Sequence, residues 1–303
     1  MLFVYQMAME TRHVRCFIAV AEELHFRRAA ERLNLAQPSL SRAVQQLEHM
    51  IGVRLLNRTN RRVELTVAGE VFLNGCRQAM DSLETAAHLA RRAAIGEVGR
   101  LAIGYTDFAI SGVLPQVLGQ FRREFPGATF ELTHMFSEPQ IEALDQRKID
   151  FGFMTGPVLA KSLSHIVVQE DRFVVVLPEK HRLAEHDVVP LSELRDEPFV
   201  AGAERWWNFY LRHLEALCQS AGFRPKIVQE AFNSEGIFGF VAANMGIAIH
   251  PECARNYFRK GLVVKDLESG DRLIPTEVAW VTGTETPIMK NFIRSVARMK
   301  PSP

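Results

Sequence analysis

The chain has 303 residues, 47% of them hydrophobic and 23% charged, with a formal net charge of +1. This composition excludes a fibrous or disordered chain and predicts a globular protein of two or three domains. No apolar run approaches the ~20 residues that a membrane-spanning helix needs, and the uncharged opening segment is too short for a secretory signal.

Charge is distributed unevenly along the chain. Residues 1–95 contain 13 Arg, no Lys and nine acidic residues, a net charge of +4, whereas the remaining residues carry −3. Contact with nucleic acid is therefore expected in the first third of the chain. Because the basic residues there are all Arg, the composition favours bidentate recognition of phosphate and guanine over a diffuse positive surface.

The four cysteines stand far apart, at positions 16, 76, 218 and 253. They form no C-x-x-C pair, and neither a disulfide framework nor a zinc site is predicted. We expect packing thiols in a reducing, cytoplasmic compartment, and we expect no metal and no cofactor.

Three helices are predicted at the front of the chain. The first spans residues 11–24, with Thr11 as its cap, and the second is short and begins near Phe26. The third spans residues 38–51, and its apolar residues recur at helical spacing on one face. These residues are Leu40, Val44, Leu47 and Ile51. A tight link precedes the third helix and predicts a helix-turn-helix, although a solvated helix in an ordinary bundle would show the same amphipathic pattern.

A basic hairpin and a long helix follow. Residues 54–66 predict a wing, with Leu55 and Leu56 on one strand, Val63 and Leu65 on the other, and a basic tip between them. Thr66 is the predicted cap of a helix that runs to about residue 95. This helix has a heptad seam, typical of an interface between two chains, with packing on its own domain as the alternative. The seam residues are Phe72, Cys76, Ala79, Leu83, Ala86, Ala90 and Ala93.

In order along the chain, three segments carry a resemblance to a known family: RHVRCFIAVAEELHF, RRAAERLNLAQPSLSRAVQQLE and GVRLLNRTNRRVELTVAGE. They resemble the LysR-type transcriptional regulators, with the regulators of aromatic catabolism of the catechol/muconate type as the nearest group. Ala36 departs from the pattern, since many members have a Ser there that can cap the third helix. The resemblance implies a winged helix-turn-helix in residues 1–66, with residues 1–8 as an extension, and a dimerising linker helix in residues 67–95.

The resemblance also implies that double-stranded DNA is a partner. Side chains at the start of the third helix can reach base edges in a major groove, and Arg at the hairpin tip suits phosphate or minor-groove contacts. The predicted DNA-binding residues are Arg28, Gln37, Pro38, Ser39, Ser41, Arg42, Gln45, Arg58, Arg61 and Arg62. A two-fold symmetric homodimer would bind a partly palindromic operator. A homotetramer is the alternative assembly, and RNA polymerase is a further candidate partner.

Beyond a hinge at residues 95–99, strands and helices alternate, which predicts an α/β fold. The predicted strands include 101–105, 129–134, 150–154, 173–177 and 277–281, and the predicted helices include 114–125, 139–147, 207–220 and 287–299. The resemblance implies a two-lobed, periplasmic-binding-protein-like effector domain in residues 96–303. Its first lobe would contain about 100–168 and 272–303, and its second lobe 169–271. The chain would cross between them near residues 169–171 and 267–273.

Ligands of α/β lobes collect at the carboxyl ends of strands and at helix N-termini. Three such corners follow predicted strands, and the resemblance places two of them at effector-contact positions. The predicted effector-binding residues are Asp107, Phe108, Ser137, Arg205, Trp206 and Trp207. Each corner has a structural alternative, since Ser137 is also a predicted helix cap and the tryptophans could pack in a core.

The predicted strand that ends at Phe153 lacks the Arg that several muconate-type members carry just after it. This absence argues against an anionic, muconate-like effector. Two alternatives remain open: the effector is neutral or aromatic, or Arg205 supplies the missing charge.

Two other functions fit part of the chain. An enzyme could use a two-lobed fold, but the sequence has no G-x-S-x-G, P-loop or H-E-x-x-H motif. A solute-binding protein would fit residues 100–300, but the helix-turn-helix at the front argues against it. We therefore predict a non-enzymatic, sequence-specific DNA-binding regulator that responds to a small molecule. The effector, the operator and the sign of regulation are not determined by the sequence.

Overall fold

The computed structural model describes residues 9–58, 62–257 and 259–299. The predicted extension, residues 1–8, and the predicted DNA contact Arg61 lie outside the described residues. The chain divides into two compact units, Met1–Arg91 and Arg92–Pro303. Within the described ranges, no helix is long and apolar enough to cross a membrane.

The first unit begins with helices α1 (Thr11–Glu23), α2 (Phe26–Arg32) and α3 (Gln37–Ile51). The prediction that Thr11 caps α1 is wrong. The cap is Glu10, whose backbone N–H donates to His13 Nδ1 at 3.3 Å. No side chain caps α3, because position 36 is Ala, and Pro38 in its first turn supplies a preformed helical φ instead.

The apolar face of α3 packs against the other helices, as predicted. Leu40, Val44 and Leu47 are fully buried, in one cluster with Phe17 of α1, and Ile51 is half-buried beside them. This packing fixes the rotation of α3 about its axis and therefore decides which side chains face outward.

Strands β1 (Leu56–Arg58) and β2 (Val63–Leu65) pair antiparallel and form the predicted wing, and α4 (Val67–Ala94) follows. Thr66 caps α4 as predicted, since its Oγ1 accepts a hydrogen bond from Gly69 N at 2.9 Å. A Cβ at Gly69 would lie 2.0 Å from the backbone oxygen of Leu55. Only glycine therefore allows the start of α4 to pack so closely against the chain entering the wing.

The predicted seam of α4 divides into two parts. The Phe72 ring lies 5.4 Å from the Phe17 ring, and Cys76 is buried in the same core. These two residues pack within their own unit, so the prediction of an intermolecular seam is wrong for them. From residue 79 onward the seam is exposed, with Leu83 at 55%.

The second unit contains strands β3 (Val98–Tyr105), β4 (Gly127–His134), β5 (Phe151–Thr155), β6 (Leu163–Pro178), β7 (Val188–Pro190), β8 (Pro198–Gly202), β9 (Lys226–Ala231), β10 (Ala248–Pro251), β11 (Leu262–Glu268) and β12 (Leu273–Val281). Its helices are α5 (Asp107–Ser111), α6 (Leu114–Glu124), α7 (Ser137–Asp145), α8 (Glu204–Ser220), α9 (Ser234–Ala242) and α10 (Pro287–Ala297). Short 3₁₀ helices cover Arg182–Glu185, Leu191–Leu194 and Glu252–Asn256.

One mixed sheet runs in the order β4-β3-β5-β12-β6-β11-β7, and β10 also pairs with β6. β3 is parallel to both β4 and β5, and β8 pairs in parallel with β9 in a small separate sheet. The long strand β6 pairs with β12 as far as Arg172 and with β10 from Phe173 onward. Its middle is therefore a crossing between two halves, as predicted near residues 169–171.

Two main hydrophobic clusters define two lobes. The first lobe surrounds Phe121, Phe151 and Phe292, so α10 returns to it as predicted. The second lobe contains β7 to β11, α8 and α9 around the buried part of β6. Phe108, which follows β3 of the first lobe, belongs to the core of the second.

The largest difference from the predicted elements concerns β6, which begins at Leu163 and not near residue 173. Its first half mixes buried and exposed side chains, whereas positions 173–178 are all buried. Only the second half forms the apolar run that signals a buried strand.

Candidate DNA interface and ligand pocket

The predicted DNA-reading residues of α3 lie on its outer side. Gln37, Pro38, Ser39, Arg42 and Gln45 are exposed, and Ser41 is half-buried. Ser, Arg and Gln side chains at one helix start can donate to and accept from base edges, and a helix of this width fits a major groove. The arrangement therefore suits direct readout of DNA sequence.

Arg58 lies at the end of β1, where it forms an ion pair. Its Nη2 lies 2.6 Å from Glu48 Oε2 of α3, and its guanidinium lies 5.0 Å from the centre of the Phe26 ring. Only 25% of the Arg58 side chain is exposed. The structure therefore gives Arg58 a role in fastening the wing, and its predicted contact with DNA stays a prediction.

Glu48, which the sequence analysis did not single out, is the centre of this arrangement. Its Oε1 accepts hydrogen bonds from Leu55 N at 2.9 Å and Leu56 N at 3.1 Å, while Oε2 binds Arg58. One carboxylate therefore joins the end of α3, the helix predicted to read DNA, to the start of the wing at β1. Glu48 is the single acidic residue of α3, and this was the available signal.

Arg28 and Arg62 also have acidic neighbours. Arg28 Nη2 lies 2.7 Å from Glu23, and Arg62 Nη2 lies 2.8 Å from Glu64. Both arginine side chains remain mostly exposed, at 63% and 77%. Such exposed pairs are weak, so a phosphate group could replace the carboxylate.

A pocket lies between the two lobes, where three strands end and α5, α7 and α8 begin. It is open to solvent, and its cavity of about 20 Å³ has room for roughly one water molecule. The lining residues are Thr106, Asp107, Phe108, Phe136, Ser137, Thr155, Trp206, Trp207, Phe209 and Tyr210. Five of the six predicted effector-binding residues are therefore brought together. Asp107, Phe108 and Ser137 follow neighbouring parallel strands of the large sheet, whereas Trp206 and Trp207 follow β8 of the small sheet in the other lobe.

Arg205 is the predicted residue that the pocket lacks. Its guanidinium lies 4.7 Å from the centre of the Trp206 ring, and the residue lines a separate surface groove beside Glu138 and Glu142. None of the ten residues lining the pocket in the described chain is Lys or Arg.

Aromatic rings form most of the pocket wall. Phe136 of the first lobe stacks on Trp206 of the second, with ring centres 5.5 Å apart and planes at 22°. Trp207 is 5% exposed and donates from its indole N–H to the backbone oxygen of Phe232 at 2.9 Å. Both tryptophans therefore line the pocket, and Trp207 is in addition part of the core of the second lobe.

Three buried hydroxyl residues lie among the rings: Thr106, Ser137 and Thr155. The prediction that Ser137 caps α7 is wrong, because Phe136 occupies the cap position. Ser137 Oγ accepts a hydrogen bond from Thr155 N at 3.1 Å instead. Its hydroxyl proton therefore remains available to donate to a ligand.

Asp107 is the acidic group of the pocket. Its Oδ1 accepts from His134 Nε2 and its Oδ2 from Ser234 N, both at 2.6 Å. Burial alone would raise the pKa of Asp107, but these hydrogen bonds outweigh it and lower the pKa. The bond to Asp107 in turn raises the pKa of His134.

All four cysteines are free and buried, which confirms the prediction of packing thiols. Burial raises the pKa of Cys218 to about 12, so its thiol is a poor nucleophile at neutral pH. Burial also lowers the pKa of His250 to about 4. Among the described residues, no group of three His, Cys, Asp or Glu side chains could hold a metal ion.

Thr106 and Phe136 belong to the corners predicted from the sequence, although they were not among the predicted effector contacts. Thr155, Phe209 and Tyr210 were not predicted. Thr155 directly follows a predicted strand, so its sequence position could have identified it. Phe209 and Tyr210 lie inside α8, where only the tertiary structure shows which side faces the pocket.

A winged helix-turn-helix with a polar outer helix face, joined to a two-lobed unit with a pocket between its lobes, defines a ligand-responsive DNA-binding protein. Residues 11–70 match the family model of the bacterial regulatory helix-turn-helix protein, lysR family, and residues 94–300 match the LysR substrate binding domain. The chain belongs to the LysR family of transcriptional regulators. It is therefore a DNA-binding regulator with an effector-binding domain and not an enzyme, as predicted.

Known regulators are similar to this chain over nearly its whole length. The chain is 39% identical over 286 residues to the HTH-type transcriptional regulator AlsR of Bacillus subtilis (strain 168), covering 94% of each chain. It is 32% identical over 288 residues to the Hca operon transcriptional activator HcaR of Escherichia coli (strain K12), covering 95% of this chain and 97% of that protein. The structure of full-length CbnR with its target DNA has a TM-score of 0.83 at 26% identity, covering 96% of this chain and 99% of that chain.

The role of Glu48 can be tested by substitution. Glu48→Ala leaves two backbone N–H groups and Arg58 without their acceptor, and we expect a loss of about 1–3 kcal/mol in unfolding free energy of the DNA-binding unit. Hydrogen exchange at the amides of Leu55 and Leu56 should accelerate, and DNA affinity should fall. Glu31→Ala, which removes the exposed pair with Arg27, is the control. Unchanged hydrogen exchange at both amides would contradict the proposed role of Glu48 as their acceptor.

The pair of His134 and Asp107 should make stability depend on pH. Because the pKa of His134 is raised in the folded state, its contribution is fully present below about pH 6.5 and is lost as pH rises through the raised pKa. The contribution of Asp107, whose pKa is lowered, is lost only in acid. The urea midpoint should therefore fall as pH rises above about 6.5 and through the raised pKa of His134, and His134→Gln should flatten this slope. The substitution His186→Gln, at an exposed position, should keep the slope of the parent protein. Parallel plots of urea midpoint against pH for the parent and both variants would refute the coupling of His134 to Asp107.

Proposed function

We propose that this regulator binds a partly palindromic operator through α3 and that an aromatic small molecule in the interlobe pocket controls its output. The supporting observation is the pocket itself, where aromatic walls from both lobes meet buried hydroxyls and helix starts. The proposed DNA-contacting residues are the predicted set, with the α3 residues reading bases and Arg28, Arg61 and Arg62 binding phosphates. The cytoplasm is the proposed location, and RNA polymerase is a proposed further partner.

The pocket favours an uncharged aromatic ligand over an aromatic carboxylate. Its lining offers hydroxyls and ring faces but no cationic side chain, and the carboxylate of Asp107 already lies on its wall. A ligand carboxylate would lose its hydration without gaining a charged partner, which is costly. An amide or hydroxyl group, in contrast, can pair with the hydroxyl of Ser137 and with free N–H groups at the start of α7.

Ligand binding would also change the spacing of the lobes. The rings of Phe136 and Trp206 have centres 5.5 Å apart. A third ring placed between two ring faces needs about 7–8 Å between them, at ordinary carbon–carbon contact distances. A planar ligand inserted there would therefore push the first lobe away from the second, and this movement would be the signal.

We also propose the domain division that the sequence indicated: a winged helix-turn-helix to residue 66, a linker helix at 67–95 and an effector domain from 96. The family matches at 11–70 and 94–300 support it. The exposed part of the α4 seam supports a homodimer, since alanines at four of its five positions would allow close helix approach. Two dimers could pair further into a tetramer.

The ligand class can be tested with matched neutral and anionic probes. We expect full-length protein to bind benzamide and cinnamamide roughly tenfold or more tightly than benzoate and cinnamate, because of the uncompensated charge. Trp206→Ala should weaken amide binding roughly two- to tenfold, the value of one aromatic contact, whereas Trp206→Phe should retain it. Calorimetry measures each affinity. Equal affinity for the acids would exclude the proposed class, and absence of binding by all four probes would argue against a single-ring aromatic ligand.

The dimer can be tested at Leu83. In the single chain Leu83 is 55% exposed, so Leu83→Asp should leave each chain folded but bury a charge in the proposed seam. In sedimentation equilibrium we expect an assembly with half as many chains as that of the parent protein. Thr85→Asp places the same charge on the far side of α4 and should keep the parent assembly. An unchanged mass for Leu83→Asp would move the interface elsewhere.

A further inference from the structure

Asp107 and Phe108 follow β3 of the first lobe, but both side chains are held by the second lobe. We infer that this dipeptide is an interlobe latch, which holds the two lobes at the angle seen in the structure. This assigns the two residues a positioning role in place of the simple ligand contact expected from their sequence position.

Phe108 is the apolar arm of the latch. Its side chain is 3% exposed and lies in the core of the second lobe. Its ring centre lies 5.4 Å from those of Trp207 and Tyr210 and 4.8 Å from that of His250, in each case nearly edge to face. Burial of a Phe side chain favours the folded arrangement, and separation of the lobes would expose this ring to water.

Asp107 is the polar arm. Its Oδ2 accepts from the backbone N–H of Ser234, the first residue of α9 in the second lobe, and its Oδ1 binds His134 of the first lobe. Only 13% of the Asp107 side chain is exposed. A carboxylate at a helix N-terminus gains from the helix dipole, and a charge-assisted bond that is shielded from water is stronger than an exposed one.

The two arms are connected within the second lobe. A hydrogen bond of 3.1 Å joins Ser234 Oγ to His250 Nε2, and the His250 ring lies against Phe108. Ser234 therefore contacts the polar arm directly through its backbone and is connected to the apolar arm through His250. Since burial lowers the pKa of His250 to about 4, this connection is uncharged at neutral pH.

Other hydrogen bonds also join the lobes. Ser111 Oγ donates to the Tyr257 hydroxyl at 2.6 Å, and His213 Nε2 lies 2.7 Å from the backbone oxygen of Gly156, both at partly buried positions. Asn208 Nδ2 donates to Glu138 Oε2 at 2.8 Å, and Asn256 Nδ2 donates to the backbone oxygen of Ser111 at 2.5 Å, both at exposed positions, where water competes. The dipeptide differs from these contacts because it joins a ring buried in the other lobe to a charge-assisted bond at a helix N-terminus, so its loss should change the lobe spacing.

The latch explains how a ligand would be sensed, a step that rests on the proposed function. Both residues line the pocket, beside the Phe136–Trp206 stack that a planar ligand would open. A ligand that separates these rings must lengthen the bond from Ser234 to Asp107 or withdraw Phe108. The latch thus sets the free energy that ligand binding has to overcome, and so the ligand concentration needed for a response.

The test measures the lobe spacing of the ligand-free, full-length chain. Spin labels at Lys148→Cys and Asp187→Cys mark exposed positions on the two lobes, while the native cysteines are buried. Labelled protein is diluted with unlabelled parent, so that distances within one chain are observed. Ser234→Pro removes only the donating N–H from the backbone, at a first helical position that tolerates proline, and Ser234→Ala serves to control for loss of the hydroxyl.

We expect Ser234→Pro, Asp107→Asn and Phe108→Leu each to broaden the distance distribution and to lengthen its mean by more than about 2 Å, the size of a lobe rearrangement. Ser234→Ala should change it less. Asp150→Asn, which weakens a carboxylate bond to Ala102 N inside the first lobe, should match the parent. Parent-like distributions for Asp107→Asn and Phe108→Leu would overturn the latch, whether or not Ser234→Pro folds. Because no ligand is present, this result is independent of whether the amide probes bind.

Discussion

Strand β6 is the constraint on which the second unit depends. It belongs to both lobes, pairing with β12 in its first half and with β10 and β11 in its second. Buried backbone groups must keep their hydrogen-bond partners, so the lobes cannot slide along each other. They can change their angle about the crossing, where the pairing partners change. The pocket lies between the lobes, so a change in the angle between them changes the width of the pocket. A ligand can act on the protein through this angle.

Two partly buried carboxylates hold together parts of the molecule that no shared sheet connects. Glu48 binds two wing amides and Arg58, and Asp107 binds one helix-start amide and His134. In each case a charge that would be costly to bury alone is satisfied by several directional donors. The consequence is positional: the first carboxylate orients the wing relative to the recognition helix, and the second orients one lobe relative to the other.

The two units differ in the charge of their proposed binding surfaces. The outer face of α3 and the wing present arginines and amides, which suit a polyanion, whereas the pocket presents rings and hydroxyls around a single compensated carboxylate. Electrostatics therefore dominates the proposed DNA contact, and shape and stacking dominate the proposed ligand contact. A ligand can then alter the regulator without competing for the same kind of interaction as DNA.

The sequence by itself determined the family, the helix-turn-helix and the alternating α/β elements, because these depend on periodicity and on short segments with fixed spacing. It also placed Asp107, Phe108, Ser137, Trp206 and Trp207 near one site, since each follows the carboxyl end of a strand, where ligands of α/β lobes collect. The roles of these residues were decided by tertiary structure. Ser137 binds Thr155 in place of capping its helix, and Asp107 binds an amide 127 residues away. Partners so distant in sequence leave no periodic signal, because only the packing of the two lobes brings them together.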